Sequence, residues 1–489
     1  MPDGLSYAGE FILEKCEIVC CGDDRIDVSK ELQQLDIYED IDSAVLTGSL
    51  VFTDSFGLKN TMPIIGQEIL RLKIRTPSVL SGGDFGEEKV IDRLFYIHSV
   101  AGHKSMKPDV QAVLVDFVSM EGIRNNRIIV DRILTGTYSD IAKQILKNDL
   151  KTKKTVFVEE SSGIHKFIAN EQTPFEVLDY CKKEAQSKEY GLPTYRFFET
   201  LTGFHFRSIQ SMYATESAQQ YTVVENETTV GGRKDYMAEY ARIRDFNIDK
   251  NPDTMNGLMS GQFSSELTIH DIFNKTVESL DYNYFNDDVT EPAEFTINTY
   301  HGISANPMYS KTAYDQDGSR LDSAKTTKYL LSTSLHHPVL EPGIDGSMSD
   351  GEGKFVYQQN DSIPVLQEGT AFDMSLNNGY VIDFSALGHT FMRAGQVVTI
   401  NIPRPARQKQ PEKGVLDRFY RGPFLISAIH HQFKPDGANG PTHMMFLRCV
   451  KDCVEDELEA VESLPQDVDD TFFEEDPVVE QFYLDEVTE

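Results

Sequence analysis

His430-His431 and His443 are the residues whose type and spacing come nearest to metal chemistry. They lie in runs that alternate apolar and polar residues, the period of a half-buried strand. Neighbouring side chains on a strand point to opposite faces, so at most one of His430 and His431 can share a face with His443. No acid stands in a fixed pattern with them, and packing rather than ligation is the expectation. Asp315-Gln316-Asp317-Gly318 begins like a calcium loop, but the twelfth position holds Thr326 where a bidentate Glu is needed. With 78 Asp and Glu residues, carboxylate pairs suited to glycoside cleavage arise by number alone and identify nothing without geometry. The six cysteines, Cys16, Cys20, Cys21, Cys181, Cys449 and Cys453, form no C-x-x-C pair and no zinc spacing. They read as reduced, mostly buried thiols of a protein assembled in a cytosol. No Walker A loop, H-E-x-x-H, G-x-S-x-G or post-strand G-x-G-x-x-G is found. No catalytic residue, cofactor or metal is therefore expected.

Charge narrows the partners. The 489 residues carry a net charge of −32. The last 38 residues hold 16 acids and no Lys or Arg, about half of that imbalance. Affinity for nucleic acid comes mainly from Lys and Arg displacing counterions, so a chain this acidic is poorly suited to gripping phosphates. Two readings of the acidity stay open: solubility and self-repulsion, or the lining of a channel through which DNA slides without sticking. The acidic tail also carries Phe472-Phe473, Val478-Val479 and Phe482-Tyr483-Leu484. It is either a disordered extension or a peptide that folds onto a basic partner surface. The start, Met1-Pro2-Asp3-Gly4-Leu5-Ser6, has no basic region or apolar run, so no signal peptide is expected, and no 18-residue apolar stretch is present.

The elements that would position these residues are mostly strands. Alternation runs through Phe11 to Cys20, Ser43 to Asp54, Ile69 to Arg75, Leu94 to Val100 and Gln111 to Val118. It returns at Ile243 to Ile248, Gly257 to Gly261, Ala371 to Leu376, Val381 to Phe384, Gly395 to Pro403, Gly422 to Phe433 and Thr442 to Cys449. Between the two sets the period changes. Ser139 is expected to cap a helix bearing Ile141, Ile145 and Leu146. Thr173-Pro174-Phe175-Glu176 is a stronger start, with a capping box and Pro at the first helical position. A hairpin follows, Tyr195 to Glu199 with Gly203 to Ile209. Ser265 to Ser279 reads as helix or strand without a decision between them, and a short helix is expected at Asp361 to Gln367.

The expected fold class is α+β, mostly β: two antiparallel β-barrel domains with an intervening α+β module. The first barrel spans residues 8–125 and the α+β module 126–235. A second barrel is split into 236–285 and 366–455 around an irregular insertion or lobe at 286–365. The acidic tail is 456–489.

One phrase order is specific. Gly395, Val397, Val398, Ile400 and Pro403, then a charged loop, then Gly422, Phe424, Ile426 and His430 resemble the baseplate hub proteins of T-even-type contractile-tailed phages. These are relatives of the hub region of type VI secretion spike proteins. Asp40-Ile41-Asp42-Ser43 leading to Gly48 through Asp54, Ile64-Ile65-Gly66-Gln67-Glu68, Thr173-Pro174-Phe175 and Gly203-Phe204-His205-Phe206 extend the resemblance over about residues 8–455. The resemblance implies two tube-type barrels per chain and a homotrimer whose six barrels form a pseudo-sixfold ring around the DNA path. It implies a central spike protein and tail tube or tube-initiator proteins as partners, with baseplate wedge proteins also in reach. It further implies a place in the virion tail baseplate after assembly in the host cytoplasm, and no enzymatic activity. The long insertion and the acidic tail depart from that pattern. Two other classes stay open, a virion adhesin and a tail-associated cell-wall hydrolase. Cell-wall substrate cleared by the purified protein would favour the last.

Overall fold

The computed structural model describes residues 7–20, 24–54, 64–77, 90–107, 110–223, 229–230, 233–234, 236–272, 275–283, 303, 306–307, 327–332, 336–340, 355–359, 369, 373, 376–377, 379–404, 416–437 and 440–454. The Asp315 loop, the expected helix at Asp361 to Gln367 and the acidic tail lie outside them. The fold is α+β and mostly β. Among the described residues no helix is long and apolar enough to cross a membrane.

Six main strands form the first curled sheet, with the short strand Arg25–Asp27 added at the edge of the first of them: β1 (Ile12–Val19), β2 (Leu32–Asp40), β3 (Thr47–Asp54), β4 (Ile69–Arg75), β5 (Val90–Lys107) and β6 (Val110–Ser119). They pair in the order β1-β4-β5-β6-β3-β2, every neighbour antiparallel. Alternate positions such as Leu70, Leu72 and Ile74 turn inward onto Leu50, Phe52, Phe95 and Phe117. This is the hydrophobic half of a period-two pattern closing on itself.

The intervening module contains α1 (Met120–Asn125), β7 (Val130–Gly136), α2 (Tyr138–Gln144), β8 (Thr155–Val158), β9 (His165–Gln172), α3 (Pro174–Glu184), β10 (Tyr195–Thr200) and β11 (Gly203–Ser208). Its core joins Ile141, Ile145, Leu178 and Cys181 to Tyr195, Phe204 and Phe206. Thr173 and Glu176 form the expected capping box of α3. The cap of α2 is Thr137, not Ser139. Thr137 accepts from Asp140 N at 3.1 Å, while Ser139 is buried in the first turn with its N–H donating to Ser161 Oγ at 2.9 Å.

A second set of six strands follows: β12 (Gln220–Val223), β13 (Asp245–Lys250), β14 (Tyr380–Leu387), β15 (Val397–Pro403), β16 (Leu416–Gly437) and β17 (Gly440–Lys451). Their order is β12-β15-β16-β17-β14-β13. It repeats the first set strand for strand, with one difference: β12 runs parallel to β15, whereas β1 runs antiparallel to β4. A bulge recurs at the same place, at His98 in β5 and at Ser427 in β16. Each bulge follows the last pairs to the preceding strand, Ile69 with Tyr96 and Val397 with Leu425. Bulges of this kind sharpen the local twist and re-aim the strand beyond them.

Three regions differ from the sequence expectation. Gly257 to Gly261 belongs to a helix, Thr254–Ser260, capped by Asp253 and ended by Gly261 at φ 77°. Asp373 and Leu376 are helical rather than extended. Ser264–Asp271 and Thr276–Asn283 are a hairpin in a separate sheet with Thr327–Ser332, while Gln220–Val223 joins the large sheet. Within the expected insertion, His336–Leu340 pairs with Phe355–Gln359 and touches β9 at His165.

Candidate functional site at the seam between the two sheets

The two sheets are one. Beyond its bulge, β16 leaves β15 and pairs antiparallel with β2, from Ala428 opposite Asp40 to Phe433 opposite Leu35. Phe433 completes the core of the first sheet, packing edge-on against Phe11 with ring centroids 5.2 Å apart. Strand alternation gives this seam two faces of different chemistry.

The inward face carries Ile37, Glu39, Ile429, His431 and Phe433. Glu39 is fully buried and joins three parts of the chain. Its carboxylate accepts from Leu201 N (2.8 Å) at the β10–β11 turn and from Ala394 N (2.9 Å) before β15, with Arg393 Nε 3.9 Å away. Burial raises its pKa above the ordinary carboxylate value, against the opposing pull of Arg393 and the two N–H groups. A second buried carboxylate, Glu199 in β10, accepts from Leu46 N (3.1 Å) and Ser119 Oγ (2.5 Å) and is paired with Lys154. Lys154 also holds Glu121 of α1 at 2.6 Å. Burial dominates at Glu199 and raises its pKa. At Glu121 burial acts the same way but is outweighed by Lys154, and the net shift is downward. The module is thus fastened to both sheets by carboxylates that accept backbone N–H groups.

The outward face carries Asp36, Tyr38, His430, Gln432 and Phe446. Asp36 accepts from His430 Nε2 (2.8 Å), Gln432 Nε2 (3.3 Å) and Gln34 Nε2 (2.7 Å). Burial pushes its carboxyl up, but these partners outweigh it and hold the carboxyl low. The His430 ring stacks between Tyr38 (4.6 Å) and Phe446 (5.2 Å). Both aromatics are about two-fifths exposed, at 42% each. They line an open groove of about 430 Å3 whose walls include Asp40, Phe246, Asp383 and Arg448.

His431 and His443 meet as strand geometry allows, and His430 lies on the other face. His431 Nδ1 is 3.1 Å from His443 Nε2, a hydrogen bond that one neutral ring donates and the other accepts. Phe433 stacks on His443 at 4.0 Å, and a Cβ at Gly388 would meet the His443 ring at 2.3 Å, so only glycine fits there. Among the described residues no group of three or more His, Cys, Asp or Glu is placed to hold a metal ion.

Burial first, then neighbouring His443 for His431, and His389 and Arg393 for both, hold the two rings well below the ordinary imidazole value. The unfolded chain takes up protons as pH falls below about 6.5, and the folded one resists. The stability these rings contribute is therefore complete above about pH 6.5 and is lost progressively below it. Each ring contributes up to ~1.4 kcal/mol per pH unit in that range. The urea midpoint is expected to fall between pH 7 and pH 5.5, and to fall less steeply in His443→Gln. An equal fall in the variant would place the acid sensitivity elsewhere.

The residues singled out from sequence fall mainly in the second sheet. Val397, Val398, Ile400, Phe424 and Ile426 are buried in its core. Gly395 (φ 81°) donates its N–H to Ile426 O at 2.8 Å, and a Cβ there would meet Phe198 at 2.9 Å. Gly422 (φ 98°) lies opposite Ile400, and Pro403 ends β15 opposite Leu416. Of the residues that carry the resemblance only His430 belongs to the seam, where His431 joins it on the opposite face. Asp36, Tyr38, Glu39, Phe446 and the Lys154 cluster were not singled out. The one local signal was an acid, Glu39, at the inward register of β2.

No protein-family model matches the chain, and no curated protein matches it in sequence. Several solved structures are similar to it. A tail protein from Neisseria meningitidis MC58 is 12% identical, with 90% of this chain and 96% of that one covered and a TM-score of 0.46. The 43 kDa tail protein of prophage MuSo2 from Shewanella oneidensis is 10% identical, with 90% and 98% covered and a TM-score of 0.47. An E. coli component of the type VI secretion system, itself described as similar to T4 bacteriophage tail proteins, is 8% identical, with 90% and 76% covered and a TM-score of 0.37.

Proposed function

We propose that this chain is the structural hub of a phage tail baseplate: a homotrimeric, pseudo-sixfold ring that joins the tail tube to the central spike and surrounds the DNA path. The sequence resemblance suggests the class. The observation that carries it is the repeated strand order, β1-β4-β5-β6-β3-β2 and β12-β15-β16-β17-β14-β13, joined by one strand-to-strand seam. A chain that carries one barrel twice presents six like units from three copies, with sixfold geometry towards a tube and threefold geometry towards a spike. The contacts between copies are heterologous and close on themselves. Such a role needs no nucleophile, metal or cofactor. A sheet continued from barrel to barrel makes the wall of the passage. The outward seam face and the groove beside it bear Asp36, Asp40, Asp245 and Asp383 against one Arg448 paired with Asp383, so a polyanion would meet net repulsion across roughly a Debye length, about 8–10 Å in physiological salt.

Electron micrographs of the purified chain viewed end-on are expected to show a threefold ring of six similar lobes around an opening. Two-lobed single particles at every concentration would contradict the reading.

A further inference from the structure

Two strand edges stay open in the repeat, and the seam inside the chain supplies the register in which they fit each other. We propose that the distal half of β5 in one copy adds antiparallel to β13 of the next copy, as β16 adds to β2 within one chain. This deepens the ring reading and rests on it.

The strand β16 has two uses. Up to Leu425 it pairs with β15, and beyond the bulge at Ser427 it pairs with β2. The equivalent strand β5 has only the first use. It pairs with β4 up to Tyr96, bulges at His98, and continues to Lys107. Among the described residues, no strand lies on its edge opposite β6 beyond that point. The strand β13 shows the complementary lack. It occupies the place of β2, but where β2 is flanked by β3 and β16, β13 is flanked among the described residues by β14 alone. Burial follows the same difference: Leu35, Asp36 and Ile37 of β2 are buried, whereas Phe246 of β13 is 37% exposed and Asn247 is exposed. Open edges of this kind are templates for another strand.

Shared partners fix the register. Ser99 and Ala428, the first residues after the bulges, lie opposite Asp116 and Arg448. Counting along β6 and β17 makes His103 equivalent to His431 and Lys104 equivalent to Gln432. Through β3 and β14, Asp36 is equivalent to Asn247 and Ile37 to Ile248. Since Gln432 lies opposite Asp36 and His431 opposite Ile37, Lys104 of one copy lies opposite Asn247 of the next, and His103 opposite Ile248. The charges agree: residues 97–107 hold Lys104 and Lys107 and no acid, while β13 holds Asp245 and Asp249 against one Lys250.

The test is oxidative cross-linking of the full chain carrying Lys104→Cys and Asn247→Cys. A disulfide forms only when the two Cα atoms lie within about 4.4–6.8 Å. The expected result is covalent dimer and trimer, reversed by reductant, with nothing larger. Each single variant, the unsubstituted chain and the pair Lys104→Cys with Ile248→Cys, which this register sets one residue out of step, should remain unlinked. Variants that form trimers in solution but do not link, that link within one chain, or that link equally in the Ile248→Cys pair would overturn this pairing and leave the ring reading standing. A strict monomer for the unsubstituted chain would overturn both.

Discussion

Glu39→Ala should destabilise the folded chain by about 3–5 kcal/mol, the range for removing one partner of a buried charged pair. The carboxylate is the single acceptor shared by Leu201 N and Ala394 N, and Arg393 is its cation. Alanine leaves two backbone donors and a guanidinium in a buried place without the acceptor they share. Glu39→Gln should fall between. Its one amide oxygen can satisfy one N–H group, while its NH2 faces the other donor. Tyr38→Ser, one residue away on the exposed face, should cost far less. Equilibrium urea unfolding of the three variants checks this. A loss below about 1 kcal/mol for Glu39→Ala would show that the junction of the three parts does not depend on this residue.

Lys154→Met should have an effect of the same size, about 3–5 kcal/mol. Its ammonium is held by Glu121 and Glu199, both buried, and methionine fills the space without the charge. Two carboxylates would then face each other with no cation. Protonating one relieves that repulsion, so the loss should be smaller at pH 5 than at pH 8. The sign follows from linkage: without Lys154 the folded-state pKa values rise, and the folded form gains protons relative to the unfolded form as pH falls. A loss, relative to the unsubstituted chain, that is equal at both pH values would contradict the arrangement. Since Glu199 also accepts from Leu46 N of the first sheet, the module should loosen from that sheet before its own core melts. Hydrogen exchange at Leu46 against Leu178 reads that order.

Strands such as Ile69–Arg75 and Val397–Pro403 were legible because every second residue is apolar and the buried face is local to the strand. The strand β2 was not. Its inward register places Glu39 where an apolar residue would signal burial, and a bulge between Leu32 and Gln34 breaks the period at its start. Thr254–Ser260 failed for the opposite reason. Gly257-Leu258-Met259-Ser260-Gly261 can be read as a strand between glycines, and the decisive signal is the cap at Asp253. The opposite facing of His430 and His431 followed from strand geometry alone. The partners of those faces did not, because Asp36 and Tyr38 lie nearly four hundred residues away in sequence, in the strand that went unread. The repeat was expected from the similar run of strands, but its strand-by-strand order and its seam depend on pairings that no local pattern contains.

Three copies of this double-barrel chain should close into one ring. A light-scattering mass of the purified chain, alone and with its spike partner, tests that most directly. A closed ring requires a species of three times the 55.2 kDa chain, with nothing larger accumulating as concentration rises. A strict monomer at tens of micromolar in both conditions, or a series of ever larger open assemblies, would contradict it.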